Sequence, residues 1–172
     1  MYEIGELVLY GSTGVCRVSE IKTQDFPSTG ERRLYYVLKP LYQSCVISVP
    51  VDSDKVFIRP IISKDEAERL ISLIPGRKCE AYHNQATREL AQHYDTMLKS
   101  HKCEDLIDLT MSIYAKKENM HRQKRRFGTV DERFLKQAED LLFGELAAAL
   151  EIPRSEVRGY ITARVTDAEK AG

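Results

Sequence analysis

Over residues 1–60, short runs of valine, isoleucine, leucine and tyrosine alternate with polar positions and are cut by glycine- and proline-bearing breaks. The runs are Leu7-Val8-Leu9-Tyr10, Val15 to Ile21, Leu34 to Leu38, Cys45 to Val49 and Val56-Phe57-Ile58. Each is the length and composition of a strand. The breaks are Gly11-Ser12-Thr13-Gly14, Pro27-Ser28-Thr29-Gly30, Pro40 to Ser44 and Pro50 to Asp54. Short strands with a turn every ten residues or so predict a small, strongly bent sheet closed as an SH3/Tudor-like β-barrel.

Beyond Pro60 the period changes to that of helices. Ser63-Lys64-Asp65-Glu66 is a capping box opening a short helix that stops at Pro75-Gly76. Residues 82–100 carry Leu90, Tyr94, Met97 and Leu98 at helical spacing, and Cys103, Leu106, Ile107, Thr110, Met111, Ile113 and Tyr114 continue it in the next segment. A second capping box, Thr129-Val130-Asp131-Glu132, is expected to open a long helix with Phe134, Leu135, Ala138, Leu141, Leu142, Leu146 and Leu150 inside. Pro153 resets the chain before a last helix over residues 155–163. The fold class read from this pattern is α+β: a β-barrel over residues 1–60 and an all-helical domain over residues 61–172.

Candidate chemistry changes this picture little. Gly11-Ser12-Thr13-Gly14 has no lysine and leads into a strand, so it reads as a hairpin turn and not a phosphate-binding loop. No G-x-S-x-G, H-E-x-x-H or G-x-G-x-x-G is present. The acidic pairs Asp65/Glu66, Glu104/Asp105 and Asp131/Glu132 fall in first helical turns, where carboxylates favour the helix dipole. The four cysteines form no C-x-x-C pair; Cys79, His83, His101 and Cys103 could assemble a zinc site only without the paired spacing such sites show. The expectation is a non-enzyme with no cofactor and no metal. No apolar run approaches the ~20 residues of a membrane span. The first residues lack the basic lead of a secretory signal. A cytoplasmic protein is expected.

Charge, by contrast, is informative once it is localised. The chain holds 26 basic and 26 acidic residues, a balance that argues against a general nucleic-acid coat. Within 116–126, however, Lys116, Lys117, Arg122, Lys124, Arg125 and Arg126 face one acid, Glu118. A helix C-terminus favours two or three cations; six is the density that neutralises several phosphates. Phe127 is the one aromatic beside them, so duplex backbone contact is favoured over single-strand stacking.

The ordered series "YEIGELVLYGSTGVCRVSEI", "YYVLKPL…CVISVPVDS", "LKSHKCEDLIDLTMSIYAKK" and "DERFLKQAEDLLFGELAAALEI" resembles the CarD/CdnL family of bacterial transcription regulators over roughly residues 2–165. Its first part is also similar to the RNA-polymerase-interacting module of transcription-repair coupling factor. The resemblance implies an adaptor whose β head docks on the RNA polymerase β subunit while its helical body contacts promoter DNA at the upstream bubble edge and stabilises open complexes. The aligned docking positions are Gln24, Phe26, Ile47 and Ser48, with core packing the other reading of Phe26 and Ile47. The family often carries a tryptophan wedge early in the second helical segment. This chain has no tryptophan, and Leu90 stands there, either as an apolar wedge or as core. Gln92 and His93 replace the flanking basic residues, and Gln24 and Ser48 the docking arginines. The candidate DNA-contacting set is therefore Leu90, His93, Lys116, Lys117, Arg122, Lys124, Arg125 and Arg126, with little sequence preference. A monomer is expected, with no membrane partner. The alternative is a protein–protein module acting on polymerase without DNA contact.

Overall fold

The computed structural model describes residues 1–171, which divide into two compact units, Met1–Ile61 and the residues from Ile62 onward. Five antiparallel strands make the first: β1 (Leu7–Tyr10), β2 (Gly14–Asp25), β3 (Arg32–Pro40), β4 (Ile47–Pro50) and β5 (Ile58–Pro60). They lie in the order β4-β3-β2-β1-β5. The sheet is open, with β4 and β5 as its edges, so the expected barrel is not closed by a ladder of hydrogen bonds. β4 and β5 also begin two residues later than the apolar runs imply and end on Pro50 and Pro60. An edge strand or a strand end tolerates a residue without an N–H, so these prolines close strands instead of opening the turns that follow.

Register within β2 decides which side chains reach the core. Val18 faces Leu38 and Glu20 faces Val37, leaving Ser19 as an extra residue. The Ser19 hydroxyl donates to the Val37 carbonyl at 3.0 Å. Before this bulge the even-numbered Cys16 and Val18 join Val8, Tyr36 and Leu38 in the core; after it the odd-numbered Ile21 does. The Gly11–Gly14 segment is the β1–β2 turn, closed by Thr13 N–H donating to the Tyr10 carbonyl at 3.0 Å. Gly11 is required there: its φ is +45°, and a Cβ would lie 2.7 Å from Val56 Cγ1.

The second unit is helical: α1 (Lys64–Ser72), α2 (Thr87–Leu98), α3 (Cys103–Arg122), α4 (Thr129–Leu150) and α5 (Val157–Ala171), with 3-10 turns at Ile74–Gly76 and Arg154–Glu156. α4 is central and packs on each of the other four helices. Leu70, Ile71, Ile107, Leu109, Ile113, Leu146 and Val157 are fully buried. The first helix starts as expected, with Ser63 Oγ accepting from the Glu66 N–H at 3.1 Å. The reciprocal half of that box is not made, because Glu66 spends both carboxylate oxygens on Arg69 at 2.8 and 2.6 Å. α2 begins at Thr87 and not near residue 82. Asn84 Oδ1 accepts from the Ala86 N–H at 2.8 Å, and this local bond competes with an earlier helical start. Among the described residues no helix is long and apolar enough to cross a membrane.

The second expected capping box is replaced by a different use of its acid. Gly128 is the N-cap of α4, without a side-chain bond, and Thr129 is already helical. Asp131 turns inward. Its Oδ1 accepts from Lys116 Nζ at 2.9 Å and from the Tyr94 hydroxyl at 2.6 Å, joining α2, α3 and α4. Both ends of the ion pair are almost wholly buried. Burial, then the Asp131 bond, pushes the Tyr94 phenol far above its ordinary range. A second polar tie holds the irregular stretch before α2 on α3: Arg77 binds both Asp108 and Glu104, the latter at 2.8 Å, and Ser112 Oγ donates to the Glu80 carbonyl at 2.7 Å.

Two outcomes are expected. Lys116→Met, which strands the Asp131 carboxylate in the core, should cost about 3–5 kcal/mol in urea unfolding, whereas Lys117→Met on the exposed side of α3 should stay within about 0.5 kcal/mol of wild type. Equal effects would mean that the pair does not organise the unit. For Asp108, the Arg77 guanidinium holds the carboxyl below its ordinary value despite the opposing effect of burial. The stabilisation is therefore present above the usual aspartate range and fades as pH falls through the lowered value. The stability gap between wild type and Arg77→Met should narrow below about pH 4; a gap that is constant from about pH 7 to about pH 2 would contradict it.

Candidate functional site

Each unit carries one part of the candidate site. In the sheet, β4 has a neighbour on one side only, pairing Leu38 with Ile47 and Val37 with Ser48. Ser48 is exposed, and Val46 just before the strand is 61% exposed. Ile47 instead leans on the Val8–Leu38 core, so of its two readings the packing one is what the structure displays. Gln24 lies on β2 opposite Arg33, towards the far end of the long β2–β3 hairpin. Phe26 sits in the hairpin tip, its N–H donating to the Glu31 carbonyl at 2.7 Å, with the Arg33 guanidinium 4.1 Å above its ring. The four positions do not line one strand: β3 lies between Gln24 and Ser48. β4 offers an open backbone edge, and the hairpin tip offers an arginine-capped aromatic.

In the helical unit the structure sorts the eight candidate residues into two groups. Leu90 is 6% exposed and packs in the core, not on a face open to a duplex. The apolar stripe of α2 explains this, since Leu90 and Tyr94 are one turn apart on its buried face. His93 is half-buried, its ring stacked on Tyr82 with centroids 3.7 Å apart. Burial lowers its pKa, which disfavours the cationic form that a phosphate contact would use. Lys116 also belongs inside. It continues the stripe of Leu109 and Ile113 at intervals of four and three, so its ammonium is carried to Asp131 and away from solvent.

Lys117, Arg122, Lys124, Arg125 and Arg126 are exposed. Arg122 pairs with Glu118 at 2.6 Å. Among the described residues, no carboxylate pairs with Lys117, Lys124, Arg125 or Arg126. The backbone beneath them is fixed by a Schellman closure, with Lys124 N–H donating to the His121 carbonyl at 3.0 Å and Arg125 N–H to the Met120 carbonyl at 2.8 Å. Lys124 occupies the left-handed position of that motif at φ +55°, where glycine would be less strained by about 1 kcal/mol. His101 and Glu151 adopt the same conformation past α2 and α4, so the strain is not peculiar to this turn.

An open groove of about 400 Å³ lies against this turn, lined by Tyr114, Lys117, Glu118, His121, Arg125 and Phe127. Tyr114, Lys117, Glu118 and His121 recur at helical spacing and so share one face of α3. Periodicity is the signal that could have found this grouping, although Tyr114 alone reads as core and His121 alone as surface. Among the described residues no group of three histidine, cysteine, aspartate or glutamate side chains is placed to hold a metal ion. Cys79 Sγ instead donates to Asp108 at 3.3 Å, and Cys103 is buried at the start of α3.

With the open edge and the cationic turn described, comparison with known families adds one finding. Residues 2–62 match the model of the CarD-like/TRCF RID domain, a span that takes in all five strands. The N-terminal unit is a CarD-like/TRCF RID module.

Proposed function

We propose that this chain is a non-enzymatic transcription regulator that docks on RNA polymerase through its N-terminal module and contacts promoter DNA through its helical unit. The observation that carries the reading is the match of the first unit to a polymerase-interacting domain, together with the open β4 edge that unit presents. An exposed edge gives a partner strand a row of backbone hydrogen bonds, and neighbouring side chains give the choice of partner. On this reading the polymerase β subunit adds a strand against β4, with Ser48 at the edge and Phe26 with Arg33 at the hairpin tip as side-chain contacts.

The DNA side is carried by Lys117, Arg122, Lys124, Arg125 and Arg126, whose charges are exposed and, apart from Arg122, unopposed by a carboxylate among the described residues. Contacts of this type position a duplex without reading its bases, so little sequence preference follows. Held at the upstream edge of the bubble by the docked module, they would oppose re-annealing and stabilise the open complex. A second reading, action on polymerase without DNA contact, draws support from the burial of Leu90 and Lys116, which removes an apolar wedge and one cation from the candidate surface.

Two measurements separate these readings. Ser48→Pro deletes an N–H on β4, and in the full chain it should weaken binding to a purified polymerase β-subunit fragment by about tenfold or more with its thermal transition retained. Unchanged affinity would remove β4 as the docking edge. Arg125→Glu with Arg126→Glu should leave β-subunit binding intact and flatten the salt dependence of DNA binding, by about 0.9 logarithmic units for each phosphate no longer neutralised. If neither the slope nor the lifetime of promoter complexes moves, the reading without DNA contact takes its place.

A further inference from the structure

The groove beside the cationic turn holds more than a duplex backbone contact requires. Two aromatic rings, Tyr114 and Phe127, line it together with Lys117, His121 and Arg125. Phosphate contact alone needs the cations and has no use for the rings. Tyr114 is also held in place: its hydroxyl donates to Glu139 Oε1 at 2.5 Å, and the other oxygen of Glu139 accepts from Arg158 at 2.5 Å. Lys117 Nζ lies 5.5 Å from the Phe127 ring centroid, so a cation and an aromatic surface meet at the same spot. The one acid in the groove, Glu118, is engaged by Arg122. Arg125 carries no such partner among the described residues, and the Schellman closure fixes its backbone.

Rings and cations within a single groove recognise a flat aromatic group joined to an anion. The volume of about 400 Å³ falls within the range of small-ligand sites. Bases within a duplex are stacked on one another and present no free face, whereas an unpaired base does. We propose that this groove takes one unpaired nucleotide of single-stranded DNA, its base against Tyr114 and Phe127 and its phosphate on Arg125 and Lys117. The inference rests on the reading of the helical unit as a DNA-contacting one. It adds a preference for melted strand that neither net charge nor the spacing of the cations conveys.

The test uses the full chain and three probes: a fluorescein-labelled thymidine strand of about twelve nucleotides, an abasic strand of the same length, and thymidine monophosphate. The thymidine strand should bind about tenfold or more tightly than the abasic one. Phe127→Ala should abolish that difference, and Arg125→Glu should weaken both strands. Wild-type affinities decide the matter even where Phe127→Ala proves unstable. Equal binding of the two strands would overturn the groove while leaving backbone contact standing. Binding of neither strand would overturn the groove and the DNA-contacting reading together. Displacement of the strand by thymidine monophosphate at matched nucleotide concentration would make a free nucleoside phosphate the occupant, and so overturn the strand.

Discussion

The helical unit depends on an ion pair almost sealed from water. Lys116 and Asp131 lie on either side of the connection between α3 and α4, and the Tyr94 hydroxyl from α2 completes the cluster. Because one carboxylate oxygen serves both donors, the three helices have one relative arrangement in which neither buried charge is left alone. Separating any of them exposes a desolvated carboxylate or ammonium to apolar surroundings, at a cost of about several kcal/mol. The pair therefore ties α3 to α4 across their connection, while the Schellman bonds of Lys124 and Arg125 close the end of α3. The six residues between are bounded by the two helices, and their cations Lys124, Arg125 and Arg126 are exposed, whereas Lys116 on α3 is buried. The lysine that opens the basic run is thus held in the core by Asp131 and is not part of the exposed cationic surface.

In the first unit one extra residue has a comparable reach. Were Ser19 paired in regular register instead of bulged, the side chains of β2 beyond Val18 would keep even parity, and Ile21 would point away from Tyr36 and the core. With the bulge, the long β2–β3 hairpin remains attached to the core by Ile21 while its outer end runs past β4. That end is where Gln24 and Phe26 sit. The two halves of the candidate docking surface, edge and hairpin tip, exist as separate features because the hairpin outruns its neighbours.

Much of this is legible in the chain. The change from strand-like to helix-like periodicity near residue 60, the Gly11–Gly14 turn and the Ser63 cap all follow from local chemistry. What escapes a reading of the chain is decided by contacts distant in sequence. Thr129 and Glu132 have the spacing of a capping box, but no local rule says that Asp131 between them is claimed by a lysine fifteen residues earlier. Lys116 reads as part of a basic run when charge is counted and as part of the α3 stripe when periodicity is counted; only the partner settles which description governs. Strand count favours a barrel, but outer strands of four and three residues leave the sheet open. The match to a known domain stops at residue 62, so the helical unit has to be argued from its own geometry.

The neutral balance of the chain is itself informative about how a DNA contact here would work. Beyond about 8 Å at physiological salt the cationic turn is screened, so it exerts little pull on a distant duplex. A handful of unopposed cations gives nonspecific binding in the range of about 10⁻⁴–10⁻⁶ M, too weak for the free protein to coat DNA in competition with the rest of the cell's basic proteins. Tethering changes that arithmetic. Once a docked module raises the local concentration of its neighbour to about the millimolar range, a contact of this strength becomes largely occupied. Under the proposed function the weak turn is therefore an advantage. It is idle on bulk DNA and engaged where polymerase holds it, and the selectivity lies in the docking edge of the sheet, not in any reading of bases.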